Sequence, residues 1–481
     1  MKKSWRVWLV AITGLLIVFA LVHLRRQSAA ARLPPLPDLA AHPKAIGEHL
    51  RERDAAAHAS PTSASIVGAL CVAYHADLIY DLAERCYVAA EKLDSSDWQW
   101  TYYRALAESE RGSGNALANG MRRVVELAPD FGPAWLRLGE AEFKEGRHEA
   151  AADAWRRAQS SREPDRTPPP GTPIHVASVQ LSSYAALGLA RVALARGDAD
   201  ASGEILEKIT SATPGFGPAF RLLGETYTRL GRDADALRVT SHADRQSAYA
   251  PYADPMVDRL ARESRSSTFL LQQAAATDLT DNGPWKEFLL RRAIEFDPSN
   301  PAVVYELGTL LRNLRRDADA LELFLRHEQL VPDDYQGLGQ IGSCLGDLGR
   351  YTEAESYLRR ALQLADDAIT HYDLAVVLTR MGRVKEAVSE YERALERNPA
   401  HVKARTNLAV NLVNLGQLER ASRELTRVLA IDPGNASAHT NLGLVFAQQG
   451  QVEQAVRELR EALRIDPMQV QARTALEVLE K

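Results

Sequence analysis

Three groups of side chains in this sequence have the types and spacing that chemistry requires. Gly337-Leu338-Gly339-Gln340-Ile341-Gly342 has the spacing with which a strand-to-helix turn brings backbone amides against a pyrophosphate. No β-branched strand precedes it, and it keeps helical register. Ile341 falls on a core side and Gly342 at a helix crossing, so the string reads as packing. The same glycines weaken their helix by about 1 kcal/mol each against alanine. The twelve histidines include no His-Glu-x-x-His pair, and His371 and His439 recur at one equivalent position, so no metal is expected. Cys71, Cys86 and Cys344 form neither a Cys-x-x-Cys pair nor a zinc spacing. The first two read as buried thiols, and a disulfide between them would require an oxidising compartment. Serine and aspartate abound, yet no Gly-x-Ser-x-Gly elbow or Gly-rich Lys-Ser/Thr loop activates them. The expectation is a protein that is not an enzyme, with no cofactor and no small-molecule substrate.

Of 481 residues, 46% are hydrophobic and 25% charged, proportions that exclude a disordered or collagen-like chain. Lys2, Lys3, Arg6, Arg25, Arg26 and Arg32 stand in the first 33 residues without an acid, leaving 52 basic against 63 acidic residues beyond them. An acidic body lacks the attraction to phosphate backbones on which nucleic-acid binding depends, so no nucleic acid is expected as a partner.

The elements that position these residues come from a repeat. Pro298, Pro332, Pro399, Pro433 and Pro467 are spaced by 34, 67, 34 and 34, with Asp366 at the place of the missing proline. In the last full unit His439 is followed by Leu442, Gly443, Phe446, Gly450, Ala455, Leu459, Ala462 and Pro467. The unit before it places Arg405, Leu408, Ala409, Leu412, Gly416, Ala421, Leu425, Val428 and Pro433 at the same offsets. Small residues at the crossing let two helices touch, large ones fill the space beside it, glycine at the turn accepts the left-handed conformation, and proline stops the second helix.

This pattern resembles the tetratricopeptide repeat. The resemblance implies an all-α fold, a right-handed α-solenoid of about eleven helix-turn-helix repeats, in which no unit is stable without its neighbours. Repeats are expected in blocks 64–165, 183–250 and 267–469, with a capping helix at 470–481. Insertions at 166–182 and 251–266 begin with prolines (Pro168 to Pro170; Pro251 and Pro255) and are expected to lengthen the following first helix backward.

Residues 1–6 form a short basic tail, and 7–24 read VWLVAITGLLIVFALVHL, an apolar run without Asp, Glu, Lys or Arg. At roughly 1.5 Å per residue this helix spans about 27 Å, enough for a bilayer's hydrocarbon core. It is expected to be an uncleaved transmembrane helix. Ala29 and Ala31 would serve a signal peptidase, but Arg25 and Arg26 separate them from the apolar run. Basic residues flank both ends; the short basic tail is expected on the cytoplasmic side, placing the body in the periplasm behind a bacterial inner membrane. Residues 25–63, rich in proline and alanine, are expected to form an extended stalk. The whole layout resembles membrane-associated repeat proteins of bacteria.

In that family the first helices line a concave groove that takes extended peptides, and the resemblance assigns a site by position. Glu306, Gln340, Asp373, Asn407 and Asn441 stand two residues after the large slot. Asn407 and Asn441 match the asparagine ladder of related glycosyltransferase repeats, whose amides grip a peptide backbone. Glu306 and Asp373 depart from it, which suggests a charged, selective clamp. Lys403 and Arg405 are placed to hold an acidic group, as in carboxylate-binding members, although the full basic set of those members is missing. The plain alternative is that these are solvent-compatible helix residues. Trp98, Trp100, Tyr102 and Tyr103 either pack a first helix on its neighbour or form an aromatic docking patch. The functional expectation is a membrane-tethered, non-enzymatic scaffold for protein or peptide partners; the alternative is an accessory subunit of an envelope or polysaccharide assembly enzyme complex.

Overall fold

The computed structural model describes the backbone of all residues except 1, 113–114, 163–172, 174–178, 246–251, 253, 278 and 481, and the side chains of all these but 2–14, 241–245 and 279–282. Among the described residues the regular structure is entirely helical, so the fold is all-α. The chain divides into two bodies, 1–298 and 299–481.

The first body opens with α1 (Lys2–Ala30) and α2 (Lys44–Ala59). Helix pairs follow: α3 (Ala64–Ala76) with α4 (Tyr80–Leu93), α5 (Trp98–Glu110) with α6 (Ala116–Leu127), α7 (Gly132–Lys144) with α8 (His148–Ser160), α9 (Leu181–Ala195) with α10 (Ala199–Ala212), and α11 (Gly217–Arg229) with α12 (Asp233–Arg245). A single helix, α13 (Pro255–Glu263), precedes the pair α14 (Ser267–Ala275) and α15 (Leu279–Phe296). The second body pairs α16 (Pro301–Asn313) with α17 (Asp317–Leu330), α18 (Tyr335–Asp347) with α19 (Tyr351–Leu364), α20 (Ala368–Arg380) with α21 (Val384–Arg397), α22 (Val402–Asn414) with α23 (Leu418–Ile431), and α24 (Ala436–Gln448) with α25 (Val452–Ile465), and ends in α26 (Val470–Leu479). Within this second body each second helix packs on the first helix of the next pair, the stacking of a helical solenoid.

The last pair shows why these residues make this unit. The Asn435 side chain accepts from the Ala438 amide and starts α24, a cap worth about 1 kcal/mol. Asn300, Asp334, Asp367 and His401 cap the preceding first helices in the same way. A β-carbon on Gly443 would stand 2.8 Å from Leu459 and 3.1 Å from the Ala455 carbonyl oxygen, so only glycine lets α24 and α25 approach this closely. Gly342 plays the same part against Leu358 inside α18, which places the Gly337–Gly342 string within a packed helix. At the turn, Gly450 has φ of +77°; its amide bonds to Ala447 and that of Gln451 to Phe446, closing the helix end. Leu459, Ala462 and Ala472 are fully buried where α26 covers the final pair.

Several expectations change. Residues 25–63 are not an extended stalk throughout, because α2 buries Ile46, His49, Leu50 and Ala57 and packs on α3. Arg26 at the end of α1 also donates to the Ala59 carbonyl at 2.7 Å. Of the 166–182 insertion, residues 166–172 and 174–178 lie outside the described residues; α9 starts at Leu181, only two residues before the expected unit. Residues 251–266 do not lengthen α14. The chain breaks between Glu263 and Ser267, and α13 packs on α3 instead. Cys71 and Cys86 are not free thiols but a disulfide joining α3 to α4, with Cα atoms 5.1 Å apart. No helix among the described residues is long and apolar enough to cross a membrane; the span expected at 7–24 falls partly on 7–14, whose side chains lie outside the described set. From Leu15 to Leu24, α1 exposes eight large apolar side chains, each 52–71% accessible.

Candidate partner-binding surfaces

In the second body, α16, α18 and α20 present Arg312, Ser343, Asp347, Asp373 and Arg380 to one open cleft of about 180 Å³. Asp347 and Arg380 follow the ladder residues Gln340 and Asp373 by seven positions, about two helical turns, and so share their helix face. The half-buried Asp373 accepts from the Ser343 hydroxyl. Its pKa is raised to about 6, because loss of water outweighs the help of Ser343 and Arg312, and Asp347 adds like charge. Arg312 Nη1 donates to Gln340 Oε1 at 2.7 Å, and Gln340 Nε2 donates to the Tyr305 hydroxyl at 3.5 Å. The Arg312 Nε is buried without a hydrogen-bond partner among the described residues.

The other residues singled out by sequence divide. Asn407 donates to the Tyr372 hydroxyl at 3.4 Å, repeating the contact of Gln340 with Tyr305. Glu306 and Asn441 are half-buried and Lys403 is exposed; none of the three lines the cleft. Arg405 is a correction. It is buried, pairs with Glu424 on α23 and donates to the Pro399 carbonyl at 2.6 Å, so it is spent inside its own pair. The equivalent His371 and His439 likewise meet Glu390 and Glu458, each at 2.6 Å. A separation of 19 residues recurs in all three pairings, and only the fold shows that it brings the side chains together. Arg312, Ser343, Asp347 and Arg380 were missed, although the seven-residue spacing of Asp347 and Arg380 from the ladder was in view.

In the first body the aromatic cluster has a definite use. Trp100, Tyr102 and Tyr103 are buried, and two of them grip the chain's own segment 252–266. Tyr102 donates to Asp254 at 2.5 Å, and Arg137 donates to the same carboxylate through Nη2 at 2.7 Å and Nε at 3.0 Å. Burial drives the Tyr102 hydroxyl well above the ordinary phenol range, which keeps it a donor. The Tyr103 hydroxyl donates to the Met256 carbonyl at 3.1 Å. Further along, Arg53 pairs with Glu263 at 2.8 Å, Ser264 donates to the Ala76 carbonyl at 2.8 Å, and the Arg265 amide donates to Asp77 at 2.7 Å.

Models described as tetratricopeptide repeat match residues 333–400, then 116–166, 287–335 and 406–469, then 380–428, and 183–208, together more than half of the chain. A protein O-mannosyl-transferase of Caenorhabditis elegans is 28% identical over 99 residues, 20% of this chain; the chain spans 14% of the length of that curated relative. Among solved structures, YrrB, described as a TPR protein with an unusual peptide-binding site, is 25% identical over 39% of this chain and 97% of its own, with a TM-score of 0.34. PilW, described as a type IV pilus biogenesis factor, is 19% identical over 44% of this chain and 98% of its own, with a TM-score of 0.41.

Proposed function

The chain belongs to the tetratricopeptide-repeat family, and we propose that it acts as a non-enzymatic scaffold, holding an extended protein segment along the first helices of its second body while α1 tethers it to a membrane. One observation carries this reading: three successive first helices bring Arg312, Asp347, Asp373 and Arg380 into a single open cleft. A surface with both signs of charge suits a polypeptide, which offers carbonyls, amides and charged side chains in a row. Asn407 and Asn441 would continue the row with amides able both to donate and to accept.

The tether is supported by the apolar run 7–24 and by the eight large apolar side chains that α1 exposes between Leu15 and Leu24, a display that water penalises and a bilayer rewards. The Cys71–Cys86 disulfide supports a body on an oxidising side, in keeping with the periplasm of a bacterium.

The test is covalent capture of neighbours in intact cells. Asp347→Ala with Arg380→Ala, both exposed positions, is expected to lower capture at least tenfold at unchanged helicity, and Asn407→Ala with Asn441→Ala to lower it less. Arg405→Ala is expected to leave it unchanged. Capture that survives loss of the cleft charges would remove this surface from the reading, and a carboxyl-terminal reporter active only in the cytoplasm would remove the periplasmic placement. Recovery of one enzyme in fixed ratio would instead mark the chain as an accessory subunit of an assembly complex.

A further inference from the structure

We propose that the face made by α3, α5, α7 and α9 is a second binding surface, for a partner segment carrying an aromatic residue two positions before an aspartate that begins a short helix, and that residues 252–266 occupy it as a tethered competitor. This surface is independent of the cleft in the second body.

The occupying segment shows the recognition chemistry directly. Its Asp254 is 3% exposed, and a carboxylate so buried is tolerable only with charged and hydrogen-bonding partners. Arg137 and Tyr102 supply them from two successive first helices. Tyr252 sets its ring edge-on to Tyr184, with centroids 5.8 Å apart. Tyr103 and the carbonyl of Ala76 hold the segment's backbone and Ser264, and Arg259 reaches Gln99 at 3.0 Å. Tyr252 and Asp254, two positions apart, thus fill two sites: a ring contact with Tyr184 and a carboxylate clamp.

The segment does not fill this face completely: open clefts of about 460 Å³ and about 240 Å³ flank it, with Tyr252 lining both. The larger cleft is lined by Leu136, Trp155, Tyr184 and Leu187 and by Lys144, Arg191 and Glu140, the last two paired at 2.6 Å. A partner segment that continues past the aromatic residue with an apolar and an acidic side chain would fill space that residues 252–266 leave open. The covalent connection supplies the competing advantage, since it makes occupation of the face an intramolecular event with a raised effective concentration. The segment also lies outside the repeat pattern, and from its far side Arg292 of α15 donates to the carbonyls of Ala261 at 2.9 Å, Arg262 at 2.5 Å and Ser264 at 2.9 Å.

The experiment uses the full chain and a labelled synthetic peptide of residues 250–266 as probe, read by fluorescence anisotropy. Wild-type protein, whose own segment competes, is expected to bind the probe at least tenfold more weakly than the Tyr252→Ala, Asp254→Ala double variant. Adding Arg137→Ala to that variant, or replacing the aspartate corresponding to Asp254 in the probe by asparagine, is expected to reduce binding at least tenfold. Equal binding by wild type and the double variant overturns the proposal. Should the double variant fail to unfold cooperatively, hydrogen exchange of wild-type protein decides. Amides of α13 exchanging faster than those of α5, and faster still with excess probe, support displacement. Protection equal to that of α5 makes the segment a permanent part of the core and overturns it.

Discussion

Asp373 is the residue where the chemistry of the second body concentrates. Its carboxyl is raised from an ordinary value of 3.8 to about 6 by loss of water, so the folded state prefers the protonated form. The stability this contributes is complete below about pH 4 and is lost as pH rises through about 6. Asp373→Asn is therefore expected to be more stable than wild type above pH 7, by about 1–2 kcal/mol after allowing for partial exposure, and to match it near pH 4. Thermal unfolding followed by circular dichroism at pH 4, 6 and 8 measures the difference. The ladder position of Asp373 was readable from repeat register alone. That Arg405 is not part of the site was not, because the face of a helix it occupies depends on whether Glu424 is near enough to claim it, and tertiary contact decides that. Asp254 was hidden more deeply, since its partner Arg137 stands 117 residues earlier and no local period connects them.

Among the elements, the turns inside the helix pairs give the most direct test. Gly382, Gly416 and Gly450 adopt positive φ there, but Leu78 and Arg315 hold the same place at +66° and +61°. The Arg315 amide bonds to Arg312 and that of Arg316 to Leu311, the closure seen at the glycine turns, so the cost is paid in backbone strain. Arg315→Gly is expected to stabilise the second body by about 1 kcal/mol, read as a rise in its unfolding midpoint in urea; a fall would show that the arginine side chain supplies more than its backbone loses. Helix pairs of this kind were legible because small, large and proline positions recur at fixed offsets. The helix α2 was not, as its inward residues Ile46, His49, Leu50 and Ala57 make a sparse and partly polar stripe beside a proline-rich neighbour. α13 could be read as helical, but its docking on α3 rather than α14 could not, because insertions carry no register of their own.

For the whole molecule, two bodies with different covalent bracing should respond differently to reductant. The Cys71–Cys86 bridge closes a span of 15 residues in the first body, a constraint worth roughly 3 kcal/mol by loop entropy. Among the described residues the second body has only the free Cys344, buried and pushed up to about 12 by burial. Dithiothreitol is expected to lower the unfolding temperature of the first body and leave that of the second unchanged, as differential scanning calorimetry would resolve; a uniform shift would contradict separate bracing. The stacked order of repeats was the most legible feature of the molecule, since each unit touches its neighbours in sequence. Its departures from that order arise where distant segments meet.

One of those meetings bears on synthesis. Arg137 and Asp254 are 117 residues apart, and a ribosome adding roughly 5–20 residues per second delivers the arginine on the order of ten seconds before its carboxylate. The nascent chain thus emerges with its first three pairs made and their ligand-like segment still unsynthesised. A partner present at that moment meets a vacant face, whereas one arriving after release must evict a resident.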